Sequence, residues 1–146
     1  MSSFWGAYPT FVPHPTKALR KEFNRLASQQ RWNDNQKRKK WLQCAQKEFL
    51  HQFGDDEKSL AGWQAMCAIV EVDEIPESIS RCKRLLKDTV WVNIYDLLDA
   101  KRTGSPPKKH RSAGALAEYC RQTDKIFPKR KAKANPFLRV LLVEVF

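Results

Sequence analysis

The sequence contains few of the residues from which catalytic and metal-binding motifs are built. It has 3 histidines, and its 5 glycines stand singly, so there is no glycine-rich loop of the kind that holds phosphates. Its 4 cysteines form no C-x-x-C pair, the spacing that structural zinc sites usually use. Because no motif points to a reaction, we predict a protein that is not an enzyme and that carries no cofactor and no metal.

The positions of the cysteines are more informative than their number. Cys67, Cys82 and Cys120 are in phase with the apolar residues of predicted helices, where small buried side chains belong. This phase predicts reduced, buried thiols in a cytosolic or nuclear protein. A cysteine–histidine nucleophile stays open at this point, since such pairs meet in space rather than in sequence.

Long apolar runs are also missing. No window approaches the roughly 18 apolar residues that indicate a membrane-spanning helix. Residues 1–19 are rich in proline and aromatic residues, and they lack the basic start and the apolar run of a secretory signal. We therefore expect a soluble intracellular protein that has no membrane partner.

What the chain contains in excess is positive charge. Its 27 Lys and Arg residues outnumber its 16 Asp and Glu residues, which gives a net charge of +11. The net charge is +7 over residues 1–54, −5 over residues 55–100 and +9 over residues 101–146. A local excess of one sign can act as a patch that attracts partners of the opposite sign. This distribution predicts a nucleic acid (DNA or RNA) or chromatin as the partner, with an acidic protein as the other candidate.

Apolar residues recur at helical spacing nearly throughout the chain. Capping residues and the limits of the apolar stripes predict seven helices, which begin near Thr16, Asn33, Asp56, Ser78, Asn93, Ser112 and Asn135. The one β-like stretch is Val90–Val92, and the last helix, from Phe137 to Phe146, is apolar enough to dock in a core. The predicted fold is therefore all-α, a compact domain of about six or seven helices.

The chain divides into two parts. Residues 1–15 form an arm rich in aromatic residues and proline, and residues 16–146 form one helical domain with a flexible basic loop near 103–111. The arm can lie as an extended peptide in the groove of another protein, or its aromatic side chains can fold back onto the core. The sequence leaves both alternatives open.

Residues 34–88 carry a pattern that resembles the tri-helical Myb/SANT domains. The resemblance rests on Trp41, on Trp63–Cys67 and on Ser78–Lys87, which lie in three successive predicted helices. It implies a helix-turn-helix-like unit in which aromatic residues form the core and the last helix enters the major groove of DNA. The acidic turn Glu71–Glu77 departs from the pattern, and acidic modules of this type tend to bind basic protein tails instead.

Over most of its length the chain is similar to a family of uncharacterised proteins from filamentous fungi. The similarity rests on residues 14–27, 59–63, 92–104 and 141–146. It implies no activity, so the function has to be inferred from the residues themselves.

Two groups of basic residues are the candidate functional residues. In the fourth predicted helix, apolar side chains occupy one half of the helical wheel and cations the other, as phosphate contact requires. The candidate nucleic-acid-binding residues are Lys37, Arg38, Lys39, Lys40, Arg81, Lys83, Arg84 and Lys87. A run after Pro128 has the form of a nuclear-import signal and consists of Lys129, Arg130, Lys131 and Lys133.

Together these features predict a non-catalytic nuclear protein that binds nucleic acid or chromatin through basic helical faces. The alternative is a protein–protein adaptor that uses the acidic middle segment and the N-terminal arm. A cytoplasmic location is the alternative to the nucleus, and an ordinary solvated helix face is the alternative to a binding face.

Overall fold

The computed structural model describes residues 3–143, and most of these residues are helical. The eight α-helices of this range are α1 (Leu19–Gln30), α2 (Asp34–Phe53), α3 (Leu60–Ile69), α4 (Ile79–Thr89), α5 (Ile94–Thr103), α6 (Ala113–Thr123), α7 (Lys129–Ala132) and α8 (Pro136–Leu141). A short 3-10 helix covers Phe4–Ala7. Two short strands, β1 (Trp91–Val92) and β2 (Lys109–His110), pair antiparallel, with Trp91 opposite His110. The all-α prediction is confirmed.

Local capping explains why most helix starts were predictable. The side chains of six N-cap residues accept hydrogen bonds from backbone N–H groups of the first helical turn, and these residues are Asn33, Ser59, Ser78, Asn93, Ser112 and Asn135. At the start of α2, the side chain of Gln36 also accepts from the backbone N–H of Asn33, which completes a capping box. These caps satisfy N–H groups that otherwise lack partners at a helix start.

Two predicted helix starts are wrong, and both errors have a physical cause. The first helix begins at Leu19 rather than near Thr16, because the backbone N–H of Leu19 donates to the carboxylate of Asp99 at 2.8 Å. The third begins at Leu60 rather than near Asp56, because the carboxylate of Asp56 accepts from the nearby Lys58 N–H and stabilises a turn instead.

The core extends from the N-terminal segment to α8. Trp63 and Phe137 are completely buried, and their ring centroids are 4.4 Å apart. Trp41, which was also predicted to lie in the core, is half-buried at its edge, stacked on Tyr95 at 5.4 Å and covered by the guanidinium of Arg20 at 4.6 Å.

All four cysteines are free and buried, as the apolar phase of three of them predicted. Burial raises the pKa of Cys67 to about 12, so this thiol stays protonated at neutral pH. Burial also raises the pKa of the Cys44 and Cys120 thiols. The open alternative of a cysteine–histidine nucleophile would have to use a thiol that is buried in this fold.

The N-terminal arm folds back onto the helices. Phe4 and Phe11 are each 6% exposed, and Phe4 contacts Phe23 of α1 at 6.2 Å between ring centroids. The guanidinium of Arg102 donates to the carbonyl oxygen of His14 in the arm at 2.9 Å and to that of Lys17, just after the arm, at 2.8 Å. Of the two alternatives that the sequence left open, the structure has the arm folded back onto the core.

A second set of contacts holds the C-terminal part of the arm against α1. The Arg25 guanidinium lies 4.3 Å from the ring centroid of Phe11 and donates to the carbonyl oxygen of Val12 at 2.7 Å. The carboxylate of Glu22, which is buried beside Arg25, accepts from the backbone N–H of His14 at 2.6 Å. The hydrogen bond from Arg25 lowers the pKa of Glu22 despite its burial.

Two basic segments that lie outside the seven predicted helices contain regular structure. The basic segment 103–111 includes β2, and Pro107 within it is buried. The basic run after Pro128 forms α7, whose Ala132 is completely buried. The last predicted helix docks in the core, as expected, but it ends at Leu141, and Val145 and Phe146 lie outside the described residues. No helix within residues 3–143 is long and apolar enough to cross a membrane.

Candidate functional site

One face of α4 presents a row of cations to solvent. Arg81, Arg84 and Lys87 are exposed, and their side chains form no hydrogen bond or ion pair with any of residues 3–143. On the opposite face of the helix, Cys82 and Leu86 are completely buried, which fixes the direction of the row. Since an α-helix rises 1.5 Å per residue, the row extends over about 9 Å.

Lys83 does not belong to this row, contrary to the prediction. Its side chain is half-buried, and its ammonium nitrogen lies 5.3 Å from the ring centroid of Trp63. A cation over an indole ring is attracted by the negative face of the ring. Lys83 therefore covers a core residue, and α4 presents three predicted cations instead of four.

The other predicted cations, Lys37–Lys40, lie in the first turns of α2. Arg38 and Lys39 are exposed, and the Arg38 guanidinium donates to the side chain of Asn35 at 3.1 Å. The Lys40 ammonium lies 5.9 Å from the ring centroid of Trp32. Helix α2 packs against α1, α3 and α5, and α4 packs against α3 and α8. The two predicted basic groups thus lie on helices that share α3 as a neighbour.

The acidic turn before α4 lies beside one end of the row. Glu74 and Glu77 line a cavity of about 340 Å³ together with Arg81. The turn is held in place by its Pro76 carbonyl oxygen, which accepts from the side-chain amide of Gln64 at 3.0 Å. These carboxylates offset part of the charge of Arg81.

The structure adds two residues near Lys87 that sequence reasoning missed. A groove of about 370 Å³ lies between the end of α4, α8 and the start of α6. We call it the α4–α8 groove, and it is lined by Lys87, Val90, Trp91, Ala113, Gly114, Arg139 and residues 140–143. Trp91 and Arg139 are new to the candidate site. They are far from each other in the sequence, and only the packing of α8 against α4 brings them together.

Further cations lie next to this groove. Lys108 and Arg111 line an open cavity of about 530 Å³ that shares Gly114 with the α4–α8 groove. The Lys108 ammonium lies 5.3 Å from the ring centroid of Tyr119, and the Arg111 side chain has no hydrogen bond or ion pair within the described part of the chain. The sequence contains a basic run from Lys108 to Arg111. This run is the signal from which these residues could have been included in the candidate site.

A partly buried polar network adjoins this cavity at Tyr119. The hydroxyl of Tyr119 donates to one oxygen of the Asp96 carboxylate at 2.6 Å, and the ammonium of Lys125 donates to the other at 2.8 Å. Burial raises the pKa of Tyr119, and the hydrogen bond from its hydroxyl to Asp96 raises it further. Burial would lower the pKa of Lys125, but its hydrogen bonds to Asp96 and Tyr119 leave this pKa raised. Both oxygens of the Asp96 carboxylate accept a hydrogen bond, so the network links α5 to α6.

His110 is next to the network and contributes no charge to the cavity. Its ring centroid lies 4.6 Å from that of Tyr119. Burial lowers the pKa of His110, and the nearby charge of Lys108 lowers it further, so the imidazole is neutral at pH 7. No group of three His, Cys, Asp or Glu residues in the range 3–143 has the geometry of a metal site.

The residues predicted to form a nuclear-import signal are all at the surface. Lys129, Arg130 and Lys131 lie in α7, Lys133 follows it, and all four side chains are exposed. The buried Ala132 attaches this single helical turn to the core.

Comparisons of the chain with protein-family models, with curated proteins and with solved structures found no match. The resemblances to Myb/SANT domains and to the fungal family therefore remain predictions.

Proposed function

We propose that the protein is a non-catalytic nucleic-acid-binding or chromatin-associated protein that contacts phosphates with the outer face of α4. The observation that carries this proposal is the row formed by Arg81, Arg84 and Lys87, whose side chains have no hydrogen-bond or ion-pair partner among residues 3–143. Cations that form no internal ion pair keep their charge available for phosphates. Each phosphate that they neutralise releases condensed counterions, which is the main source of non-specific affinity for nucleic acids.

Support also comes from the surroundings of the row. Arg139 and Arg111 extend the positive surface beyond Lys87, and neither forms an ion pair within residues 3–143. The net charge of +11 adds a long-range attraction toward polyanions. Arg38 and Lys39 of the Lys37–Lys40 run are further exposed cations that are available to phosphates.

The carboxylates of the acidic turn limit the expected affinity. Glu74 and Glu77 lie next to Arg81, so they repel phosphates at that end of the row. We therefore expect binding that depends strongly on salt and has little sequence preference.

We also propose that the protein resides in the nucleus, with Lys129, Arg130, Lys131 and Lys133 as the import signal. Support comes from the exposure of all four side chains on one short segment. A receptor that reads basic residues needs such access.

The experiment is a salt titration of binding to a fluorescein-labelled DNA duplex, measured by anisotropy. Replacing Arg81, Arg84 and Lys87 together with alanine should flatten the slope of log K against log salt by about 2 to 3. The matched control replaces Lys21, Lys47 and Lys58 with alanine, which removes the same charge from exposed positions elsewhere. The control should change the slope by much less.

Two results would overturn the proposal. One is the absence of binding by micromolar protein at about 50 mM salt, where charge-driven binding is strong. The other is an equal loss in both triple variants, which would mean that only net charge matters. An adaptor that binds proteins through the exposed carboxylates of the acidic turn would then be the leading alternative.

A further inference from the structure

Trp91 differs from the other four tryptophans of the chain. Trp5, Trp32, Trp41 and Trp63 each have an aromatic partner, with ring centroids between 4.4 and 5.8 Å apart. Trp91 has no ring contact with any residue of the described range, and it is not part of the hydrophobic core cluster. Its side chain is half-buried, so the core does not account for its position.

The backbone nevertheless holds Trp91 in place. It lies in β1 opposite His110 of β2, and its neighbour Val92 is buried. Because the strand pair already fixes the backbone, only the side-chain torsions of Trp91 have to be ordered when a ligand stacks on it. This is a favourable arrangement for a stacking platform.

The α4–α8 groove combines an apolar lining with positive charge. Its volume of about 370 Å³ is in the range of ligand-binding pockets. Besides Trp91 it is lined by aliphatic side chains, which are Val90, Val140, Leu141, Leu142 and Val143. The charged residues in the lining are Lys87 and Arg139, both exposed, and no carboxylate within residues 3–143 lines it.

We propose that the α4–α8 groove holds a base of a single-stranded nucleic acid, stacked on Trp91, with the adjacent phosphates at Lys87 and Arg139. The inference rests on the proposed function and names its partner as a single strand. A flat, largely apolar ring between two negative charges matches this lining, because aromatic platforms flanked by cations are how single strands are bound without sequence preference. A duplex keeps its bases stacked on each other, so it cannot present one to Trp91 in the same way.

The experiment compares a fluorescein-labelled (dT)12 strand with a duplex of the same length by anisotropy. The Trp91→Ala variant should bind the single strand about 5- to 100-fold more weakly than the wild type, and its affinity for the duplex should change little. Its salt slope should stay that of the wild type, because stacking releases no counterions. Trp91→Phe should retain part of the affinity, and Trp91→Leu, which keeps apolar bulk without a ring, should not.

Removing the positive charges of the groove should change the salt dependence of binding, which the Trp91 variants should not. Replacing Lys87 and Arg139 together with alanine should flatten the salt slope for the single strand by about 1.4, since each contact to a single strand contributes about 0.7. Trp5→Leu is the matched aromatic control, because Trp5 is also half-buried but lies in the arm. It should bind (dT)12 like the wild type.

A measurement on the unmodified protein covers the case in which a Trp91 variant fails to fold. Photocrosslinking to a strand that contains 5-iodouracil, followed by mass spectrometry, should attach the base to Trp91. Crosslinks confined to other residues, or equal binding by the wild type and Trp91→Leu, would overturn the inference. If the α4 variants still lose duplex binding in that case, the proposed function stands. If the protein binds neither the single strand nor the duplex, both this inference and the proposed function are wrong.

Discussion

Replacing Arg102 with alanine should release the N-terminal arm from the helices. The guanidinium donates to the carbonyl oxygens of His14 and Lys17, and its third contact is the Glu48 carboxylate at 3.2 Å. The side chains of Arg102 and Glu48 are only 8% and 11% exposed, so solvent replaces little of what is lost.

The magnitude follows from these contacts. Removing one partner of a buried ion pair costs about 3–5 kcal/mol, because it leaves the other charge without compensation. For a chain of this size, 1 kcal/mol corresponds to about 2–4 °C in melting temperature, so a loss of 3 kcal/mol lowers it by roughly 6–12 °C. Part of the lost free energy of unfolding comes from the Glu48 charge, which is left without its Arg102 partner. The double variant Arg102→Met with Glu48→Gln should recover that part.

The assay combines thermal unfolding with hydrogen exchange. In Arg102→Ala, the backbone amides near Phe11, Tyr8 and His14 should exchange faster, since they depend on the arm staying in place. Exchange in α4 should keep the rate of the wild type. A variant that melts within about 1 °C of the wild type and keeps arm protection would refute this account, given the size of the expected shift.

Three further predictions concern the core, the pH dependence and the location. Trp63→Ala should lose about 3–5 kcal/mol or become insoluble, whereas Trp41→Ala, which removes a half-buried ring, should melt closer to the wild type. Because the pKa of Glu22 is lowered from its usual 4.5, its ionised form stabilises the fold above that pH, and this contribution is lost as the pH falls through the lowered pKa. Glu22→Gln should therefore be less stable at neutral pH and show a flatter acid limb in melts recorded against pH. In a bulky fluorescent fusion, replacing Lys129, Arg130 and Lys131 with alanine should move the protein from nucleus to cytoplasm, and an unchanged distribution would contradict the import proposal.

Much of the helical framework was determined by the sequence alone, because it depends on contacts between residues close in the chain. A cap such as Ser112 bonds to an amide three residues away, and that interaction needs no tertiary partner. The two faces of α4 follow in the same way from helical periodicity, so the exposure of Arg81, Arg84 and Lys87 could be predicted.

Only the tertiary structure decided the features that depend on residues distant in the sequence. Helix α1 starts at Leu19 because of a carboxylate 80 positions away, and the arm is fixed by Arg102 at separations of 85 and 88 positions. Helical periodicity places Lys83 on the same face of α4 as Arg84 and Lys87. Its ammonium instead lies over the ring of Trp63, away from the exposed row. The α4–α8 groove also needs α8 to dock beside β1 and α4, because no local pattern relates Trp91 to Arg139.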